Sequence, residues 1–270
     1  MSKVISRDGT SIAYSRTGEG PAVILVDGAL AHRAINPTAL LVAALLAPQF
    51  SVYTYDRRGR GDSGDTAPYS VEREADDLEA IIARHSDGEA HVFGWSSGAL
   101  LALDAAAHGL QVQTLAVYEP PLLVDGSHPP LSPDFLSRIT ELVSADRRRE
   151  AVELYFTDAL DVPADALAAM HRGLVWREWE KVAPTLVYDG TLFHDTLGGT
   201  TLAANRWRSV TIPTLVIDGE ASRATMHAGA EALAQLLPNA RRCTLVGQTH
   251  DVAAEILAPV LAAFFAHVME

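Results

Sequence analysis

The chain has 270 residues, 48% of them hydrophobic, enough for one large packed domain or a domain with a substantial insertion rather than a disordered chain. A formal net charge of -13 repels polyanions, so nucleic acid is not an expected partner, and the lone cysteine, Cys243, forbids an intrachain disulfide. No apolar stretch approaches the roughly 18 residues of a membrane span, and Met1 to Gly9 meets charge almost at once; neither membrane nor export is expected, and the cytoplasm is the default address.

Ser11 to Ser15 alternates around Ile12 and Tyr14 behind the turn dipeptide Asp8-Gly9, which predicts an antiparallel hairpin at a sheet edge. Ala22 to Val26 reads AVILV, a continuous apolar run without alternation, as a strand covered on both faces should. A helix from about Thr38 to Ala47 and a similar strand, Val52 to Tyr55, follow. Behind Ser70, a candidate N-cap, Val71, Ala75, Leu78, Ile81 and Ile82 form one apolar stripe, with Glu72 and Glu74 in the first turns. Strand His91 to Gly94, helix Ser97 to His108 and strand Thr114 to Tyr118 continue the pattern. From about Pro120 to Arg208 the strands stop, and helix-like segments such as Asp134 to Val143, Glu150 to Ala159 and Ala164 to Val175 replace them. Alternation resumes with strand Thr214 to Ile217, helix Met226 to Leu237, strand Cys243 to Val246 and helix Ala253 to Val268.

Strands alternating with single helices imply parallel pairing through right-handed crossovers. The expected fold is therefore α/β: a mostly parallel open sheet with helices on both faces and an inserted helical cap. Residues 1–119 and 209–270 would form the core and residues 120–208 the cap. Ligands of such sheets gather at the carboxyl ends of the strands.

Gly94-Trp95-Ser96-Ser97-Gly98 fits G-x-S-x-G between a predicted strand and a predicted helix, the context in which this motif exposes a nucleophile. A serine hydroxyl attacks poorly near neutral pH unless a base takes its proton and an acid orients that base. Among 10 histidines, His250 is the candidate base, because Gly247-Gln248-Thr249-His250-Asp251 leaves the last core strand at the edge that carries Ser96. His85, His108 and His267 sit instead at predicted helix ends, where a ring satisfies terminal carbonyls. Gly61-Asp62-Ser63-Gly64-Asp65 looks like the serine signature of trypsin-type proteases, but that family's repeated strands and cysteines are missing, and the segment reads as an Arg-rich structural loop. With no Cys/His cluster, Walker loop or G-x-G-x-x-G after a strand, no metal or other cofactor is expected. The expected partner is a small-molecule substrate, and a homodimer stays open.

Over essentially its whole length the chain resembles the α/β-hydrolase superfamily. The resemblance rests on Val26-Asp27-Gly28-Ala29, the segment Tyr55 to Ser63, the Ser96 elbow, the segment Pro213 to Gly219 and the His250 loop. It implies an oxyanion hole made of the Ser97 N–H and an N–H from Gly28 or Ala29. Two departures matter. The usual His-Gly is Asp27-Gly28 here, leaving an acid that either caps its loop or polarises substrate or water. The aspartate that most members carry a few residues past Gly219 is replaced by Glu220-Ala221-Ser222. Glu119, in Val117-Tyr118-Glu119-Pro120-Pro121, keeps the order Ser, acid, His and is the first candidate for the acid, with Asp218, then Glu220 or no acid at all, as alternatives.

Asp-Gly, a Ser-Ser elbow and a post-strand Glu-Pro together resemble the zearalenone-type lactone hydrolases more than ordinary esterases. Leu174-Val175-Trp176 is similar to that group's cap tryptophan, so Trp176, with Asp27 and Trp95, is expected to face the substrate. The resemblance implies hydrolysis of a carboxylic ester or lactone through an acyl-serine. A perhydrolase, a biosynthetic cyclase or a small-molecule receptor with a retained triad would carry the same residues.

Overall fold

The computed structural model describes residues 2–85, 90–124, 126, 129–198 and 206–266. Its strands are β1 (Ser2–Ile5), β2 (Ser11–Thr17), β3 (Ala22–Val26), β4 (Ser51–Tyr55), β5 (His91–Trp95), β6 (Thr114–Tyr118), β7 (Thr214–Gly219) and β8 (Ala240–Leu245). They form one sheet in the order β1-β2-β4-β3-β5-β6-β7-β8. The β1–β2 and β2–β4 pairs are antiparallel, and every other pair is parallel.

Helices α1 (Pro37–Leu46), α2 (Val71–His85) and α3 (Ser97–Ala107) connect the first strands. Helices α4 (Phe135–Ser144), α5 (Arg148–Leu154), α6 (Ala164–Met170), α7 (Val175–Val182) and α8 (Leu186–Leu197) form an insertion between β6 and β7. Helices α9 (Ala224–Leu236) and α10 (Ala254–Ala266) close the pattern.

The continuous apolar runs follow from two-sided burial. Val23, Leu25, Val52, Phe93, Ala116 and Leu215 point to the face covered by α1 and α10, while Ile24, Val26, Val92, Leu115, Val117 and Val216 point to the face covered by α2 and α3. Each valine, leucine, isoleucine or phenylalanine among them contributes about 1.5–3 kcal/mol by leaving water, so neither face tolerates polar alternation. At the far edge the rule relaxes. β8 begins at Ala240, three residues before the apolar run suggests, and exposes Arg241 and Arg242 because it has one neighbouring strand. In the insertion the helix starting at Ala164 stops at Met170 rather than reaching Val175, with Gly173 in the break before α7. His267 and Val268, assigned from sequence to the last helix, lie outside the described residues. No helix among the described residues is long and apolar enough to cross a membrane.

The loop between β4 and α2 has the structural role its composition suggests. The Asp56 carboxylate accepts from the Arg33 backbone N–H (2.9 Å) and side chain, and from the Asp62 N–H (2.9 Å). Ser63 Oγ donates to the Asp56 carbonyl (2.6 Å) and accepts from the Ala13 N–H (2.9 Å), so this hydroxyl is spent on holding the loop to β2.

Candidate active site

Ser96 joins β5 to α3 with φ 53° and ψ -123°. A left-handed φ on a residue with a side chain costs on the order of 1–3 kcal/mol and persists only where the surroundings enforce it. The enforcement is visible. The Ser96 N–H donates to the Tyr118 carbonyl (3.0 Å), and the flanking glycines admit backbone where a side chain would sit. A Cβ on Gly94 would lie 2.6 Å from Ala99 Cα, and one on Gly98 would lie 2.3 Å from the Val26 carbonyl oxygen. The motif's glycines thus let the elbow press against α3 and the end of β3. Gly28 meets the same point from β3: a Cβ there would lie 3.1 Å from Ser96 Cβ and 3.7 Å from Ser96 Oγ. The Gly28 backbone therefore lies beside the Ser96 hydroxyl.

Glu119 follows β6 with a second left-handed φ, 43°. Its Oε1 accepts from the Gly219 N–H (2.8 Å), and its Oε2 accepts from His250 Nδ1 (2.7 Å). The carboxylate is buried, while the imidazole is 43% exposed. The His250 loop is fixed independently of that bond. Tyr118 Oη donates to the Thr249 carbonyl (2.5 Å), the Ala253 N–H donates to Gln248 Oε1 (2.9 Å), and the Gln248 carbonyl packs where a Gly219 side chain would be. Donation to a carboxylate puts the proton on Nδ1 and leaves the Nε2 lone pair for a second partner.

The alternative acids are engaged elsewhere. Asp218 accepts from Arg242 Nε (2.9 Å) and Nη2 (2.8 Å), Thr244 Oγ1 (3.0 Å) and His227 Nδ1 (2.5 Å). Burial pushes its carboxyl up, but the bonds from Arg242, His227 and Thr244 outweigh burial and hold it below the ordinary range. Glu220 accepts from the Gly247 N–H (2.9 Å).

Asp27 is buried beside Gly28. Its Oδ1 accepts from Asn36 Nδ2 (2.8 Å), whose own Oδ1 caps α1 at the Ala39 N–H (3.1 Å). Burial pushes the Asp27 carboxyl up to about 6, against the opposing pull of Asn36, Arg60 and Arg57. Trp95 is half-buried and edge-on to Tyr118, with ring centroids 5.8 Å apart. Trp176 is 4% exposed inside the insertion, packed on His171, Phe156 and Trp179, with Nε1 donating to Glu180 (2.6 Å). The amphipathic turn of α7 directs this ring inward, and it is Leu174, 94% exposed, that faces out.

Sequence patterning did not reveal a buried ion-pair cluster beneath the elbow. Arg57 donates through Nε (2.9 Å) and Nη2 (2.7 Å) to Glu74 and through Nη1 (2.9 Å) to Asp189 on α8. Arg60 Nη2 (2.7 Å) and Ser97 Oγ (2.8 Å) also donate to Asp189. Burial alone would lower the Arg57 pKa, but Glu74 and Asp189 hold it well above the ordinary range. The available signal was compositional: three arginines in one loop and an aspartate within the otherwise apolar start of α8. Among the described residues no group of three or more His, Cys, Asp or Glu is arranged to hold a metal ion.

A model of the alpha/beta hydrolase family matches residues 27–259. A solved alpha/beta hydrolase from Sphaerobacter thermophilus is 50% identical with a TM-score of 0.90, covering 98% of this chain and 100% of that one. YraK of Bacillus subtilis, an uncharacterized hydrolase, is 37% identical over 119 residues, and the match covers 43% of this chain and 43% of that curated relative. A pimeloyl-(acyl-carrier protein) methyl ester esterase of Xanthomonas campestris is 31% identical over 244 residues, 86% of this chain and 89% of that protein.

Proposed function

The chain belongs to the alpha/beta hydrolase family, and from that membership we propose that it hydrolyses a carboxylic ester or lactone through an acyl-serine on Ser96. The observation that carries the reading is the Glu119–His250 bond, which leaves a histidine lone pair at the sheet edge that presents the strained Ser96.

In this mechanism His250 Nε2 takes the Ser96 proton as Oγ attacks the acyl carbon. The charge that develops on the carbonyl oxygen is met by the Ser97 N–H and by an N–H of Gly28 or Ala29. Each such donor is worth about 2.7–4 kcal/mol in a preorganised site. Protonated His250 then gives its proton to the departing alkoxide. Water, deprotonated by the same ring, attacks the acyl-serine, releasing the acid and restoring the hydroxyl. A buried Glu119 steadies the imidazolium formed in both halves. The Xanthomonas relative, whose name specifies a methyl ester, supports the ester class. The Asp27-Gly28 and Glu119-Pro120 features, which resemble the zearalenone-type enzymes, support the lactone class.

The test is turnover of a panel of aryl esters and lactones by wild type, Ser96→Ala and His250→Ala. Each variant is expected to lose on the order of 10⁴-fold in kcat, and the double variant little more, because the pair acts as a unit. Retention of more than about a tenth of wild-type turnover by Ser96→Ala would reject the nucleophile.

A further inference from the structure

A backbone N–H shares its peptide unit with the carbonyl of the preceding residue, so a cation bound to that carbonyl draws electron density from the N–H and makes it a stronger donor. Both N–H groups of Gly28 and Ala29 have this arrangement. Arg60 Nη1 donates to the Gly28 carbonyl (2.6 Å), which belongs to the peptide of the Ala29 N–H. Arg57 Nη1 donates to the Asp27 carbonyl (3.3 Å), which belongs to the peptide of the Gly28 N–H. We propose that Arg60, assisted by Arg57, is a positioning residue that polarises and aims the oxyanion-hole peptides, and that Asp189 of the insertion holds both guanidinium groups there. The inference rests on the reading of Ser96 as nucleophile.

Two features separate this arrangement from an ordinary buried ion pair. Arg57 and Arg58 each present the Nε–Nη2 fork to a carboxylate, Glu74 and Asp77 respectively. Arg60 does not: its Nη1 donates to the Gly28 carbonyl and, at 3.5 Å, to the Ala31 carbonyl, its Nη2 donates to Asp189, and its buried Nε has no hydrogen-bond partner among the described residues. A guanidinium optimised for pairing alone would use the bidentate fork. The second feature is that Asp189 also accepts from the hydroxyl of Ser97, whose N–H is the other expected donor. One carboxylate from α8 thus holds both halves of the hole, coupling its geometry to the seating of the insertion. All of these side chains are buried, so the cations act at low local dielectric, where their effect on a developing oxyanion is large.

The experiment compares wild type with Arg60→Met, which removes the charge at similar length, and Arg60→Lys, which keeps the charge but cannot span both acceptors. Rates on a p-nitrophenyl ester are normalised to Ser96 sites titrated with a fluorophosphonate, so misfolded protein does not count. Inhibition by an aryl trifluoromethyl ketone, whose serine adduct carries an oxyanion, is measured in parallel. Arg60→Met is expected to lose about 10–100-fold in kcat and a similar factor in ketone affinity, with KM within about threefold. Arg60→Lys should lose less, in the same proportion. Should Arg60→Met fail to fold, the lysine variant decides: a kcat loss that ketone affinity tracks supports the proposal, and unmoved ketone affinity overturns it. A folded Arg60→Met with kcat and ketone affinity within threefold of wild type also overturns it. If the fluorophosphonate leaves wild-type Ser96 unlabelled, the nucleophile reading fails and takes this inference with it, whereas a labelled Ser96 with unmoved ketone affinity refutes the inference alone.

Discussion

Replacing Glu119 by Gln separates charge and tautomer from shape. The carboxylate accepts at both oxygens, from the Gly219 N–H at 2.8 Å and from His250 Nδ1 at 2.7 Å. A glutamine amide has one acceptor and one donor end. If its oxygen faces Gly219, its NH₂ faces Nδ1, so that nitrogen must accept and the ring proton moves to Nε2, where no base remains for Ser96. If the amide turns over, its NH₂ meets the Gly219 N–H and a buried donor is left unsatisfied, at about 1–3 kcal/mol. Either orientation removes the charge that stabilises the imidazolium. The corresponding change in serine proteases costs on the order of 10⁴ in kcat, about 5 kcal/mol of barrier. Steady-state kinetics of Glu119→Gln, with circular dichroism to establish folding, should therefore show a folded protein with kcat reduced by about 10³–10⁴. Asp218→Asn is the control: its bonds go to Arg242, Thr244 and His227, so it should lose stability while kcat stays within about threefold. A folded, healthy Glu119→Gln beside a folded, dead Asp218→Asn would refute the reasoning.

Two further outcomes follow from burial. The Asp27 carboxyl, pushed from 3.8 to about 6, binds its proton more tightly folded than unfolded; the penalty is absent below about pH 4, grows as pH rises and levels off above 6 near 3 kcal/mol. Asp27→Asn should therefore gain stability over wild type between pH 4 and pH 7 in urea titrations, and parallel curves would contradict the burial effect. Trp176→Ala should cost about 3–5 kcal/mol, seen as a lower Tm, with KM within about twofold. An altered KM at unchanged Tm would return this ring to the substrate pocket.

The parts of the molecule legible in the sequence are those encoded by local pattern. AVILV at Ala22–Val26, short, β-branched and without alternation, reads as a strand covered twice, and Gly94 and Gly98 mark a turn whose close contacts exclude side chains. His250 is legible at one remove, through the topology that delivers the loop after β8 to the same edge. Glu119 is pointed to by the missing aspartate past Gly219 and by its place after β6. What escaped has no local signature. The bonds from Arg57 and Arg60 to Asp189 join residues 132 and 129 positions apart, and an Arg-rich loop read as structural does not say which distant carboxylates its guanidinium groups meet. For Trp176, a helix that packs an aromatic inside the insertion and one that turns it toward a pocket share the same periodicity, so the sequence does not choose between the two. The start of β8 is hidden because this edge strand opens with arginines that no buried-strand pattern contains.

The central claim is that Ser96 becomes acylated. Rapid acid quenching during turnover of an activated aryl ester, followed by peptide mass spectrometry, reads this directly. The account predicts the acyl mass on the peptide that contains Ser96, formed at the rate of phenol release and absent in Ser96→Ala. Steady hydrolysis with no adduct on that peptide, together with turnover surviving in Ser96→Ala, would contradict it.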